Sequence, residues 1–203
     1  MADVPTRPAT AGAEQDKRAW YDVEELLDAI GIKAGTTCAD LGCGSGTFTI
    51  PLAKRVGRDG KVYAVDASVT ALDQLKIKKP GVNIVTLRAE LTETRLPPAC
   101  CDLALLAFAL STSPDAAGIL IEAARLLKPD GRLAVVEWRP VPPPPGPPMA
   151  RRLRDDRMQY MLETHGFAGT QRLREGAVYY TLISRKGKPA APAATPPRPP
   201  AHK

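Results

Sequence analysis

The chain has 203 residues, 44% hydrophobic and 25% charged, which is room for one globular domain with a sizeable core. Its net charge of +6 gathers at the carboxyl end, where five Lys or Arg and no acid lie between Arg185 and Lys203; the rest of the chain is close to neutral, which speaks against a nucleic-acid binder with a basic stripe on its fold. No apolar run approaches the roughly 18 residues of a membrane span, the start lacks a secretory pattern, and Cys38, Cys43, Cys100 and Cys101 have neither zinc nor disulfide spacing, so reduced thiols and a cytoplasmic home are expected.

Residues 1 to 16 are small, polar and proline-containing and are expected to be disordered. A domain is expected over 17–186, followed by a basic Pro/Ala-rich disordered tail over 187–203. Within the domain, WYDVEELLDAIGI places Val23, Leu26, Leu27 and Ile30 on one helical face. TCADL reads as a short buried strand running into a glycine-rich turn. FTIPLAKRV reads as a helix that tolerates Pro51 in its first turn. KVYAVDA predicts a second strand, then a helix to about Lys78, and VNIVTLRAE a third strand. DLALLAFAL is apolar at nearly every position, as a strand covered on both faces should be. DAAGILIEAARLLKPDG predicts a helix ended by Pro129 and Gly131, and RLAVVEWR a fifth strand. In RPVPPPPGPPM, residues 139 to 149, seven prolines exclude helix and central strand. ARRLRDDRMQYMLETHGF predicts an amphipathic helix capped by Gly166, and GTQRLREGAVYYTLISRK a closing hairpin that turns near Glu175 and Gly176. Alternating strands and helices give an α/β fold: a mostly parallel sheet with helices on both faces and an antiparallel strand at one side.

In such sheets the ligand sits beyond the carboxyl ends of the strands, and the first strand-to-helix turn lies there. That turn, CADLGCGSGTFTI, carries Gly42, Gly44 and Gly46, which let the chain turn sharply and a ligand come close. The dinucleotide pattern wants a small residue where Thr47 stands, and no Gly-Lys-Ser/Thr follows for a phosphate loop. Asp40, expected at the mouth of the turn, would repel a pyrophosphate and attract an ammonium or sulfonium. Asp66, closing the second strand, suits two ribose hydroxyls, and Glu90, closing the third, suits an adenine amino group.

DLGCGSGTFTIPLA, VYAVDAS, the acid at Glu90, CCDLALLAFAL and LLKPDGRLAVVEW resemble, in order and spacing, the motifs of class I S-adenosylmethionine-dependent methyltransferases, over roughly Tyr21 to Arg185. EWRP, GPPMARRL and ETHGF are similar to the small ubiquinone/menaquinone-biosynthesis-type (type 11) and arsenite methyltransferases. The resemblance implies a three-layer Rossmann-like sheet of seven strands with the last inserted antiparallel. It implies S-adenosyl-L-methionine as cofactor, a small-molecule methyl acceptor, and in-line displacement. Asp40 and the turn of Gly42, Cys43, Gly44 and Gly46 would hold the methionine part. Asp66 with Ala67 would hold the ribose and Glu90 with Leu91 the adenine, while Phe108 and Ala109, ending the fourth strand, would face the cofactor. The chain departs from the family in FALSTSPD, where relatives often carry a His or acid; no general base is assigned, and no metal is expected.

Three other functions remain open on sequence: an NAD-dependent reductase, a non-catalytic protein on the methyltransferase fold, and an RNA or protein methyltransferase that uses the basic tail. Blander roles suit several conspicuous residues. Cys100 and Cys101 read as small residues entering a buried strand, and His165 as a helix-terminal imidazole. Arg151, Arg152, Arg154 and Arg157 read as one solvated helix face, and Trp138 as core. Trp20 and Tyr21 suit either a lid or packing on the sheet.

Overall fold

The computed structural model describes residues 20–78, 81–142 and 146–187. The expected disorder of 1–16, nearly all of the basic tail and the prolines at 143–145 lie outside them. In chain order the elements are α1 (Val23–Ile30), β1 (Thr37–Leu41), α2 (Thr49–Val56), β2 (Lys61–Asp66), α3 (Val69–Ile77), β3 (Ile84–Arg88), β4 (Cys101–Ala107), a 3-10 turn (Leu110–Thr112), α4 (Ala116–Leu126), β5 (Leu127–Trp138), a second 3-10 turn (Met149–Arg151), α5 (Asp155–Thr164), β6 (Phe167–Glu175) and β7 (Tyr179–Lys186). The seven strands form one sheet in the order β3-β2-β1-β4-β5-β7-β6. β1 to β5 pair in parallel, and β7 is antiparallel to both β5 and β6.

The strand alternation sorts the core into two layers. Leu103 and Leu105 of β4 and Ala134 and Val136 of β5 bury against α1 and α2. Ala104 and Leu106 of β4 and Leu133 and Val135 of β5 bury against α4 and α5. α3 covers Ala64 of β2 through Leu72 and Leu75. Local signals start several helices. Asp22 caps α1 by accepting from Glu24 N and Glu25 N, Ser68 caps α3, and Asp115 caps α4 through Gly118 N. Strand order reverses between β1 and β4, which opens the cleft at their carboxyl ends.

Three expectations about boundaries change. The helix over 115–131 ends at Leu126, because Leu127 is already extended and pairs with Cys101 while Pro129 disfavours helix at Lys128. β4 stops at Ala107, so Phe108 and Ala109 lie beyond the strand; Phe108 takes φ +58° there. The segment from 150 to 167 yields a helix only over Asp155–Thr164. Its four arginines therefore share no single face. Arg152 is buried between the 3-10 turn and the helix, donating from Nε to Pro147 O (2.9 Å) and from a terminal nitrogen to Arg139 O (3.1 Å).

Candidate functional site

The glycine turn is built from backbone hydrogen bonds and one carboxylate. The N–H groups of Gly42 and Cys43 both donate to Val65 O, at 2.8 and 3.1 Å, and anchor the turn to the end of β2. The Gly44 N–H donates to Asp66 Oδ2 at 2.8 Å, and Ser68 N donates to Asp66 Oδ1 at 2.8 Å. Three successive amides are thus committed to the protein, with a carboxylate among their acceptors, a poor cradle for a pyrophosphate. Gly42 (φ +82°) and Gly46 (φ +88°) occupy backbone conformations that L side chains rarely adopt, and a Cβ on Gly42 would stand 3.0 Å from Ala109 Cβ. Lys78 ties the far side of the turn to α3, donating to Ser45 O at 2.6 Å and to Ser45 Oγ at 2.9 Å.

Asp40 does not sit at the mouth of this turn. It is 1% exposed beneath it, and its Oδ2 accepts from Thr49 Oγ1 at 2.6 Å. Burial pushes its carboxyl up to about 7, with the Thr49 hydroxyl opposing and the Asp66 charge adding to the rise. The acids that face a ligand instead include Asp66 and Glu90. Both line a cavity of about 490 Å³ at the cleft, with Gly42, Ala67, Leu91, Phe108 and Ala109 among its other walls. Seven of the eleven predicted site residues meet there. Gly46 lines a neighbouring cavity of about 870 Å³, together with Trp20, Tyr21, Thr47, Lys78 and Tyr179. Asp40, Cys43 and Gly44 are not walls of either of these two; Cys43 packs on Ala64, Leu72 and Leu75.

The smaller cavity suits an adenosine-type ligand. Its volume is within the usual range for small-molecule sites. It offers a carboxylate at the end of β2 for hydroxyls, a second acid after β3, apolar sides from Leu91, Phe108 and Ile119, and a glycine where a side chain would crowd Ala109.

The Methyltransferase domain family matches residues 39–135. The 2-phytyl-1,4-naphtoquinone methyltransferase of Trichormus variabilis is 34% identical over 125 residues, which is 60% of this chain and 54% of that protein. The demethylmenaquinone methyltransferase of Lactobacillus johnsonii is 36% identical over 118 residues, 56% of this chain and 48% of its own length. A SAM dependent methyltransferase structure from Aquifex aeolicus superposes with a TM-score of 0.79 at 26% identity, covering 87% of this chain and 97% of that one. The family match thus takes in just under half of the chain, and over most of its length the chain is similar to an S-adenosylmethionine-dependent methyltransferase structure. It spans about half the length of the two quinone methyltransferases it matches.

Several features of this site carry no motif of their own. Tyr21 packs among Phe108 (ring centroids 4.8 Å apart), Phe48 (5.8 Å), Trp138 (6.2 Å) and Tyr179 (6.4 Å), and so both lines the larger cavity and packs on the sheet. Phe108 stacks on Trp138 at 4.2 Å. Glu137, the residue before Trp138, is fully buried and accepts from Ser111 Oγ at 2.6 Å and Ser111 N at 3.1 Å. The only sequence trace of this pair is an acid at a strand end and a serine in FALSTSPD. At the opposite end of the sheet, the Cys100 and Cys101 sulfurs lie 3.5 Å apart where β4 begins, away from the cleft. His165 ends α5, with Nδ1 2.7 Å from Met161 O.

Proposed function

We propose that this chain transfers a methyl group from S-adenosyl-L-methionine to a small-molecule acceptor. The observation that carries the reading is the cavity that brings Gly42, Asp66, Glu90 and Ala109 together at the carboxyl ends of β1 to β4. Asp66 would hold the ribose and Glu90 the adenine amino group, with Leu91 and Phe108 along the base. The glycine turn would face the methionine part. Gly44 and Asp40 would act from behind the wall, the first by orienting the Asp66 carboxylate and the second by holding Thr49 at the start of α2.

The bound cofactor supplies a methyl group already activated by its positive sulfur. What remains for the protein is to place an acceptor in line, exclude water and remove a proton where the acceptor carries one. Tyr21 and Tyr179 on the wall of the larger cavity and Phe108 on that of the smaller belong to one aromatic cluster with Phe48 and Trp138, which suits a flat, largely apolar acceptor. The naphtoquinone and menaquinone named for two relatives give the class to screen first. The acids on the walls of the two cavities are Asp66, Glu90 and Asp115 in one and Asp22, Glu24 and Glu25 in the other, and the aromatic cluster adds none. An acceptor that reacts through its own ionised oxygen or a free lone pair fits this best. Four free cysteines support a reducing, cytoplasmic home.

The test is transfer of a labelled methyl group from the cofactor to reduced naphthoquinones, to catechols and, in parallel, to RNA and an acidic protein. Label in the first two supports the reading. Label only in RNA or protein overturns the small-molecule acceptor, and binding of the cofactor without transfer to any of them overturns the activity.

A further inference from the structure

The wall of the cofactor cavity opposite the glycine turn is the chain from Phe108 to Ser113, which supplies Phe108, Ala109, Thr112 and Ser113. It has no glycine and no proline, and it begins with a phenylalanine at φ +58°. A non-glycine residue in that region persists only when its surroundings over-determine it. Several contacts act on Phe108 directly: its N–H donates to Val136 O at 2.7 Å, and its ring stacks on Trp138 and packs against Tyr21 and Phe48. The next constraint comes from Glu137. Its Oε1 accepts from Ser111 N at 3.1 Å, and its Oε2 accepts from Ser111 Oγ at 2.6 Å and from Trp138 N at 3.2 Å. Both Glu137 and Ser111 are buried, at 0% and 4% exposure. The Arg152 guanidinium, 5.9 Å from the Trp138 ring, lies on the same side and ties down the proline segment that follows β5.

We propose that Glu137 is a positioning residue for the cofactor wall: through Ser111 it fixes the turn after β4, and so the place of Ala109 against Gly42. The inference rests on the reading of the cavity as a cofactor site. Ala109 stands close over Gly42, since a Cβ at Gly42 would come within 3.0 Å of the Ala109 Cβ. A displacement of the turn toward the glycines closes the cavity, and a displacement away from them leaves the ligand without one wall. A neutral side chain of the same volume would fill this part of the core without the cost of burying a carboxylate. Burial pushes the Glu137 carboxyl up, while the Ser111 hydroxyl and the N–H groups of Ser111 and Trp138 favour the ionised form, whose four lone-pair sites accept from several donors at once and give no hydrogen in return.

The test uses the Glu137→Gln variant of the full chain. A carboxamide presents one N–H₂ where the carboxylate presents only acceptors, so in either orientation it opposes a donor, Ser111 N–H or Trp138 N–H. The dissociation constant of S-adenosylhomocysteine, measured by calorimetry, should rise about tenfold, the worth of one lost hydrogen bond, while the melting temperature moves by only a few degrees. Ser111→Ala should weaken binding about threefold, and Ser111→Thr, which keeps the hydroxyl, should return it to near the starting value. Affinity unchanged within about twofold in Glu137→Gln overturns the proposal, as does a loss of affinity that only follows a loss of stability. If Glu137→Gln does not fold, Ser111→Ala decides, and unchanged affinity there overturns the proposal. A wild-type chain that binds no S-adenosylhomocysteine overturns the cofactor reading itself and this inference with it, a result distinct from variants that bind as well as wild type.

Discussion

The turn that follows β1 and the turn that follows β4 face each other across the smaller cavity, and they hold their shapes by different means. The first is made of glycines whose positive φ angles cost little, and its amides find acceptors within the same strand-helix-strand unit, at Val65 and Asp66. The second puts a phenylalanine at φ +58° and relies on partners from β5, 26 residues further along the chain, for the Ser111–Glu137 contact. Each turn also has a buried carboxylate below it. Asp40 serves its own unit through Thr49, whereas Glu137 serves a neighbouring one through Ser111. Conformational freedom thus shapes one side of the site, and long-range constraint shapes the other.

The contrast breaks most severely at Gly42. In Gly42→Val a branched side chain must adopt φ +82° and its Cβ must press on Ala109, which Glu137 and Ser111 hold in place through the turn. Destabilisation of about 3–4 kcal/mol is expected in urea unfolding, with S-adenosylhomocysteine affinity lost beyond detection. Retained binding in a folded Gly42→Val chain would show that the two turns do not need this close approach.

Asp40→Asn sharpens the comparison at the first turn. The carboxyl of Asp40 rises from 3.8 to about 7 on folding. Between those values the unfolded chain has given up a proton that the folded chain keeps. Stability therefore falls as pH rises through this window and levels off above it. The carboxamide, which can still accept from Thr49, removes that slope. Thermal unfolding at a series of pH values should show Asp40→Asn ahead of wild type by roughly 2–3 kcal/mol near pH 8 and level with it near pH 4. Parallel curves for the two proteins would contradict the buried, partly protonated Asp40.

The smallest effect separates strain from contact in the second turn. Phe108→Ala and Phe108→Gly both remove the ring that stacks on Trp138, but only glycine also relieves φ +58°. Glycine should be the more stable of the two by about 1 kcal/mol, the reverse of the usual order within a strand. Alanine as the more stable variant would show that the positive φ stores no strain.

The same division explains what could be read in advance. Seven strands interspersed with helices, Pro51 in a first turn and the glycine turn with its acids at 66 and 90 follow from local pattern, and all are present. The features that escaped depend on distant partners. Asp40 looks exposed in CADLGCG because nothing in those residues shows that Thr49 turns back to meet it. α4 looks longer than it is because LLKPDG keeps helical periodicity while Leu127 is drawn into pairing with Cys101. Arg152 looks like one of four surface arginines until the proline segment folds back and offers it two carbonyls. Glu137 and Ser111 carry no pattern, since 26 residues and a helix separate them.

Calorimetric titration of the wild-type chain and of Asp66→Ala with S-adenosylhomocysteine and with NAD tests the central claim most directly. Asp66 both clamps Gly44 and lines the cavity, so its removal takes away one hydrogen bond to the turn, one to Ser68 at the head of α3, and the proposed acceptor for the ribose. Expected are micromolar binding of S-adenosylhomocysteine to wild type, no binding of NAD, and a loss of about 100-fold or more in Asp66→Ala. Binding of NAD in place of S-adenosylhomocysteine, or an Asp66→Ala chain that binds as tightly as wild type, would contradict the claim.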